Sequence, residues 1–274
     1  MKKKHLLLTS IAIFLAAAIA CTLWFALREG SKGVLYRVTG DSATAYLLGS
    51  IHIGTSEMHP FSAALNDAIA ACDTFVFECD TDSEDAAAQL VKRQALPDGA
   101  SLSAIIGDTL YQDTVAAYQE LNLSTASLDT QQPWVVINVL GVYSTASEMG
   151  VQNIHKAVSL GVEPTVEAYA DSHGKQYAYL ETVDEVADTM ESFSDALTRY
   201  LLQDEVDAIL GRIDTAELES VKEWPQWWHD GDVVAFRSFY SQSFEDEDTV
   251  LYAEYQDKLL TQRNALMADR LDAM

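Results

Sequence analysis

Tyr46-Leu47-Leu48-Gly49-Ser50-Ile51-His52-Ile53-Gly54 and Thr74-Phe75-Val76-Phe77-Glu78-Cys79-Asp80 are the stretches that decide the fold of this chain. Each is an apolar run of strand length that ends in polar, reactive side chains. Between them, from about Phe61 to Cys72, apolar residues recur at helical spacing. A strand, a crossover helix and a second strand make a right-handed parallel βαβ unit almost without exception. The pattern therefore predicts two parallel strands with His52 and Glu78 at or just past their carboxyl ends, the edge at which open α/β sheets bind ligands. A capped loop histidine and a strand-end carboxylate would leave the same trace. Gly49 and Gly54 weigh against that plainer account, because they bracket the histidine and allow close backbone approach or positive φ.

Working outward, Val34–Val38 and Ala45–Gly49 alternate around Gly40-Asp41-Ser42, a hairpin feeding the first core strand. After Asp80, the acids Asp82, Glu84 and Asp85 suggest a calcium loop, but Asp85 stands where an EF-hand needs glycine. They serve instead as the capping, dipole-matched start of a helix over 84–95. Helices follow at about 108–121 and 132–148, and the second is apolar nearly all round. This middle region has the character of a helical insertion that shapes a substrate site. One helix is expected from Ile154 to His173-Gly174, then a strand over Lys175–Leu180 with Glu181 at its carboxyl end, the topological place that Glu78 also occupies. Polar helices are expected at about 183–210 and 214–223. The tryptophans of Trp224-Pro225-Gln226-Trp227-Trp228 suit an inter-helix core. The last helix starts near Thr249 and carries Arg263-Asn264. The class is α/β: a mixed sheet with flanking helices and a helical insertion.

The 17 basic and 42 acidic residues give a net charge of −25, a field that repels nucleic acid. Nucleic-acid binding is set aside on that ground. The cysteines are Cys21, Cys72 and Cys79. An extended Thr74–Phe77 would hold the last two about 20 Å apart, beyond disulfide reach. At the N-terminus Lys2, Lys3 and Lys4 precede an uncharged apolar run, Leu6–Leu27, that would span about 33 Å as a helix. The lysines hold that end in the cytoplasm. The expected organisation is a single-pass anchor over 1–32 and an outward-facing domain over 33–274. Ala18-Ile19-Ala20-Cys21 leaves two alternatives, a cleaved signal peptide and a lipid anchor on Cys21.

Signatures for P-loops, dinucleotide folds, serine-hydrolase elbows, H-E-x-x-H zinc proteases and paired C-x-x-C are absent. What remains is a bracketed histidine with carboxylates on neighbouring strand ends. Imidazole with carboxylate oxygen suits manganese, cobalt or zinc. Such an ion acidifies bound water and polarises a carbonyl, with Glu78 or Glu181 as ligand or general base. His59, before Pro60, is a candidate for supporting the site; His155, His173 and His229 are expected at the surface.

Leu47-Leu48-Gly49-Ser50-Ile51-His52-Ile53-Gly54 resembles the first G-x-x-H motif of the TraB/GumN family, relatives of the membrane-anchored Tiki metalloproteases. Val76-Phe77-Glu78-Cys79-Asp80 resembles that family's Glu-x-Asp strand, and Gly161-Val162-Glu163 stands where it has Gly-Ile-Asp. Gly174-Lys175 through Leu180-Glu181-Thr182 resembles its G-K…L-E-T segment. Trp228-His229-Asp230-Gly231-Asp232 and Arg263-Asn264 resemble its W-x-x-G-D and R-N elements. The resemblance covers about residues 34–270. It implies metal-dependent hydrolysis of peptides, with His52 and Glu78 as metal ligands and Glu78, Glu181 and Arg263 as catalytic groups. Gly49, Ser50, His59 and Asn264 would line the same site. The family's second G-x-x-H, downstream of Arg-Asn, does not occur before Met274, so the resemblance implies a domain incomplete at its C-terminus or one without catalysis. The alternative function is a non-catalytic protein that sequesters a peptide or a metal.

Overall fold

Alternating apolar residues fold Val34–Thr39 (β1) and Thr44–Gly49 (β2) into the expected antiparallel hairpin, Val34 opposite Gly49 and Thr39 opposite Thr44. The computed structural model describes residues 30–40, 44–81, 83–212, 218–242 and 249–274. The expected anchor with Cys21 lies outside them. Among the described residues no helix is long and apolar enough to cross a membrane.

A 3-10 turn over Ser56–Met58 and helix α1 (Ala63–Ala71) follow β2 and lead to β3 (Thr74–Cys79). The expected pairing of β2 with β3 is not formed. β3 runs parallel to β4 (Gln176–Glu181), Thr74 opposite Gln176 and Cys79 opposite Glu181, so two two-stranded sheets replace the single mixed sheet. The physical reason lies just past β2. Ile51 O accepts a hydrogen bond from Val162 N–H, and Gly54 N–H donates to Ala157 O. A helical corner thus takes the backbone groups that a neighbouring strand would have used. β2 and β3 still meet through side chains, because Leu48, Ile51 and Phe77 pack on a core of Met58, Phe61, Leu65, Ile69, Phe75, Val162, Val166, Ala170 and Trp228.

That corner divides the helix expected from Ile154 to His173 into α6 (Ile154–Ser159) and α7 (Val162–Ser172). Before it come α2 (Glu84–Gln94), α3 (Leu102–Ile106), α4 (Asp108–Glu120) and α5 (Pro133–Glu148), close to the expected bounds. The Ser83 hydroxyl caps α2 by accepting from Ala86 N–H. The segment 183–210 is also two helices, α8 (Val183–Glu191) and α9 (Asp195–Ile209), because the Ser194 hydroxyl starts a new helix by accepting from Leu197 N–H. Helices α3, α4, α5 and α9 share a second core around Leu102, Leu140, Leu202 and Val206. Trp224–Asp230 (α10) is itself helical and ends at Gly231, which has φ +67°. Val233–Gln242 (α11) and Thr249–Tyr255 (α12) follow. A π-helical stretch, Gln256–Gln262, then joins α12 to α13 (Arg263–Ala273).

Helices α5 and α9 enclose two carboxyls that burial pushes up to about 7, Glu205 and Glu148. The Ser144 hydroxyl donates to Glu205 Oε2 at 2.7 Å, opposing the shift, while the charge of Asp204 adds to it. A carboxyl raised in the folded state binds protons that the unfolded chain has already released, so stability is greatest at low pH. It falls as pH rises from about 4.5 to about 7 and then levels off. Glu205→Gln is expected to flatten that slope and to add on the order of 1–2 kcal/mol above pH 8. Urea titrations across the range check this; an unchanged slope would show that Glu205 ionises freely.

Candidate functional site at the strand ends

Glu78 is the penultimate residue of β3 and Glu181 the last of β4; because Cys79 is the residue opposite Glu181, the pleat sends the two carboxylates to opposite faces of the pair. Arg263, the first residue of α13, reaches both. Its Nε donates to Glu181 Oε2 at 2.6 Å and its Nη2 to Glu78 Oε2 at 2.8 Å. The π-helical turns just before Arg263 rephase the helix, and such insertions recur at functional sites. Glu181 is 3% exposed and Arg263 17%, whereas Glu78 is half open to solvent. Of the three groups that the family resemblance assigns to catalysis, Arg263 thus bridges the other two, Glu78 and Glu181. Arg270, a further helical step along α13, holds Glu185 and the Leu180 carbonyl. Asn264 is exposed beside Arg263.

His52 lies where β2 gives way to the helical corner. Its direct partner is Glu163 rather than Glu78: Nδ1 sits 2.9 Å from Glu163 Oε1. That hydrogen bond raises the imidazole pKa above its ordinary value against the opposing effect of partial desolvation by the surrounding protein. The charges of Glu163 and Glu78 raise it further and that of Arg263 lowers it, so one electrostatic neighbourhood contains all four groups. Burial pushes the Glu163 carboxyl up, but the His52 hydrogen bond and charge, with help from Ser50, hold it below the usual carboxylate range. Both partners therefore favour the ion pair. Glu163 Oε2 is buried and has no hydrogen-bond partner. The imidazole itself is 79% exposed, open to an incoming ligand.

Sequence reasoning left Glu163 out of the site. The signal was present in Gly161-Val162-Glu163, but the long helix expected there hid the corner that aims Glu163 at His52. Gly54 and Gly161 make that corner possible by close approach. A Cβ on Gly54 would stand 1.9 Å from Leu160 O, and one on Gly161 2.5 Å from His52 O. Gly54→Ala is expected to cost at least about 3 kcal/mol, because backbone and not a flexible side chain must move. A thermal melt checks it, and a change in Tm within error would show that the corner yields. His59 supports the same corner, its Nε2 lying 3.0 Å from Leu160 O and its ring stacked on Phe61. Gly49 contributes its carbonyl, which accepts from Trp228 Nε1 at 2.8 Å. His155 and His173 are exposed, as expected. His229 is not a free surface group: its side chain is 20% exposed and its carbonyl accepts from Lys32 N–H at 2.7 Å.

The donor chemistry suits a hard or borderline divalent ion at His52 and Glu163, where the orphaned carboxylate oxygen sits beside an imidazole. Glu78 and Glu181 suit it less while a guanidinium lies between them. Among the described residues no group of three or more His, Cys, Asp or Glu side chains is gathered as a ligand set.

A family model described as the TraB/PrgY/gumN family matches residues 34–274. No curated protein and no solved structure matches the chain.

Proposed function

The chain belongs to the TraB/PrgY/gumN family, and on that premise we propose that it is a membrane-anchored, outward-facing hydrolase of peptides that works with a divalent ion. The observation that carries this reading is the buried, unpartnered Glu163 Oε2 beside His52. A buried carboxylate oxygen without a partner is costly, so such an atom calls for one. His52 and Glu163 would hold manganese, cobalt or zinc, which when bound acidifies water and polarises a carbonyl. The other roles belong to the chain's own groups. Glu78, half exposed and bonded to Arg263 only through Oε2, takes up a proton at Oε1. Arg263 fixes the orientation of Glu78, and Glu181 beneath it keeps the guanidinium in place. The Arg263 Nη1, used by neither carboxylate, donates to a substrate carbonyl oxygen.

A second reading, sequestration of a peptide without turnover, is favoured by a different observation. The carboxylates nearest the pair are already neutralised by Arg263, and the described residues bring no third donor. One experiment separates the two. Full-length protein in detergent is assayed for bound metal and for peptide cleavage, alongside His52→Ala and Glu163→Gln. Hydrolysis predicts stoichiometric metal in the wild type, with both variants losing it together with at least about 100-fold in turnover. Saturable peptide binding, without cleavage and indifferent to chelator, would establish sequestration and discard the hydrolase.

A further inference from the structure

Strand β3 is made to pair on both edges and pairs on one. Thr74, Phe75, Val76 and Phe77 are β-branched or aromatic without interruption, the side chains that favour a strand between neighbours. Gln176 N–H donates to Asp73 O at 3.1 Å, and that bond sets the phase of the parallel ladder. Successive residues aim their N–H and C=O at alternate edges. Asp73, Phe75, Phe77 and Cys79 therefore serve β4, while Thr74, Val76 and Glu78 turn theirs outward. The outward edge is the one that β2 was expected to fill. Among the described residues no strand pairs with it. Thr74, Val76 and Glu78 are all exposed, Val76 by 38%. No proline, lysine or bulge blunts this edge, the devices that keep a bare strand from recruiting another chain.

Two further observations say what the edge receives. It leads to Glu78, which Arg263 holds and whose charge reaches His52. A strand added along β3 thus runs into the groups assigned above to the reaction. The surroundings are also negative. Asp73 is fully exposed at one end and Glu78 half exposed at the other, in a chain with 42 acidic and 17 basic residues. A second copy of the chain carries the same net charge of −25 and is repelled, whereas a basic peptide is drawn in.

We infer that the outer edge of β3 takes up a basic peptide as an added strand, main chain to main chain, and leads it to the site at Glu78. This rests on the peptide reading above, which hydrolysis and sequestration share. Main-chain pairing supplies the affinity, so selection falls on positive charge and extended shape more than on side-chain sequence.

The test uses full-length protein in detergent carrying His52→Ala, so that no peptide is cut. The probe is a fluorescein-labelled octapeptide of alternating lysine and valine, read by anisotropy. Saturable binding is expected. N-methylating one alternate set of its residues, all valines or all lysines, should weaken binding at least about tenfold, and methylating the other set less than about threefold. Val76→Pro, which removes an outward N–H and no ladder bond, should weaken the unmethylated peptide at least about fivefold with the melting transition kept. If that variant does not fold, the two methylated peptides decide. Equal loss from both methylation patterns, or unaltered binding to folded Val76→Pro, would overturn strand addition and leave the peptide reading standing. So would failure of the octapeptide to bind while the wild type still cleaves or captures other peptides. A glutamate–valine octapeptide bound as tightly would overturn the selection for a basic peptide, and a dimer that excludes the probe would give the edge to a second copy. No binding or cleavage of any peptide would overturn this inference together with the reading beneath it.

Discussion

Arg263→Ala is expected to lower the unfolding free energy by about 3–5 kcal/mol near neutral pH, because it leaves an ionised carboxylate in the interior without its cation. Glu181 is that carboxylate, with 3% of its side chain exposed. Glu78 loses the same partner but is half exposed, so water compensates it. Two companions separate charge from packing. Adding Glu181→Gln to Arg263→Ala should recover part of the loss, since no lone charge then remains buried. Arg263→Lys should recover only a fraction, because an ammonium keeps the charge but cannot place two N–H groups on two carboxylates as the planar fork does. Urea midpoints at constant m report all three. A single variant as stable as the wild type would mean that the strand ends are effectively in water.

The second large effect is expected at Trp228, which is 1% exposed. Its indole packs on Gly33 and tilts against Phe61 with ring centroids 5.4 Å apart. Its N–H satisfies the Gly49 carbonyl, the last residue of β2. Trp228→Ala should cost about 3–5 kcal/mol for the cavity, with a further ~1 kcal/mol or more for the stranded carbonyl. Trp228→Phe keeps most of the packing and should lose only about 1–2 kcal/mol. Because Gly49 is followed by Ser50 and His52, the alanine variant should also blunt any activity that depends on His52, at temperatures where the protein is still folded. Loss of stability in the alanine and phenylalanine variants to the same degree would assign the whole effect to the hydrogen bond.

How far the site was legible in sequence follows from the range of the forces involved. Glu78 and Glu181 each stand near the carboxyl end of a strand-length segment, which is a local signal, and it placed both at strand ends without recording that β3 pairs with β4. His59 and Gly54 stood out through Pro60 and through the glycine itself. Glu163 was missed because its role depends on a chain reversal at Leu160-Gly161 that helical periodicity does not mark.

The sequence by itself determined the local vocabulary of this protein. The β1–β2 hairpin, α2 to α5 and the separation of Cys72 from Cys79 all follow from alternation, 3.6-residue spacing and capping residues, whose energetics act within a turn or two. Only the tertiary structure decided which strands pair and which side chains meet. β3 took β4 instead of β2, because the backbone beyond β2 was already hydrogen-bonded to the corner between α6 and α7. A peptide group has the same donor and acceptor in every residue, so the choice between competing partners is made by burial and close approach across the whole chain, and no local pattern records it.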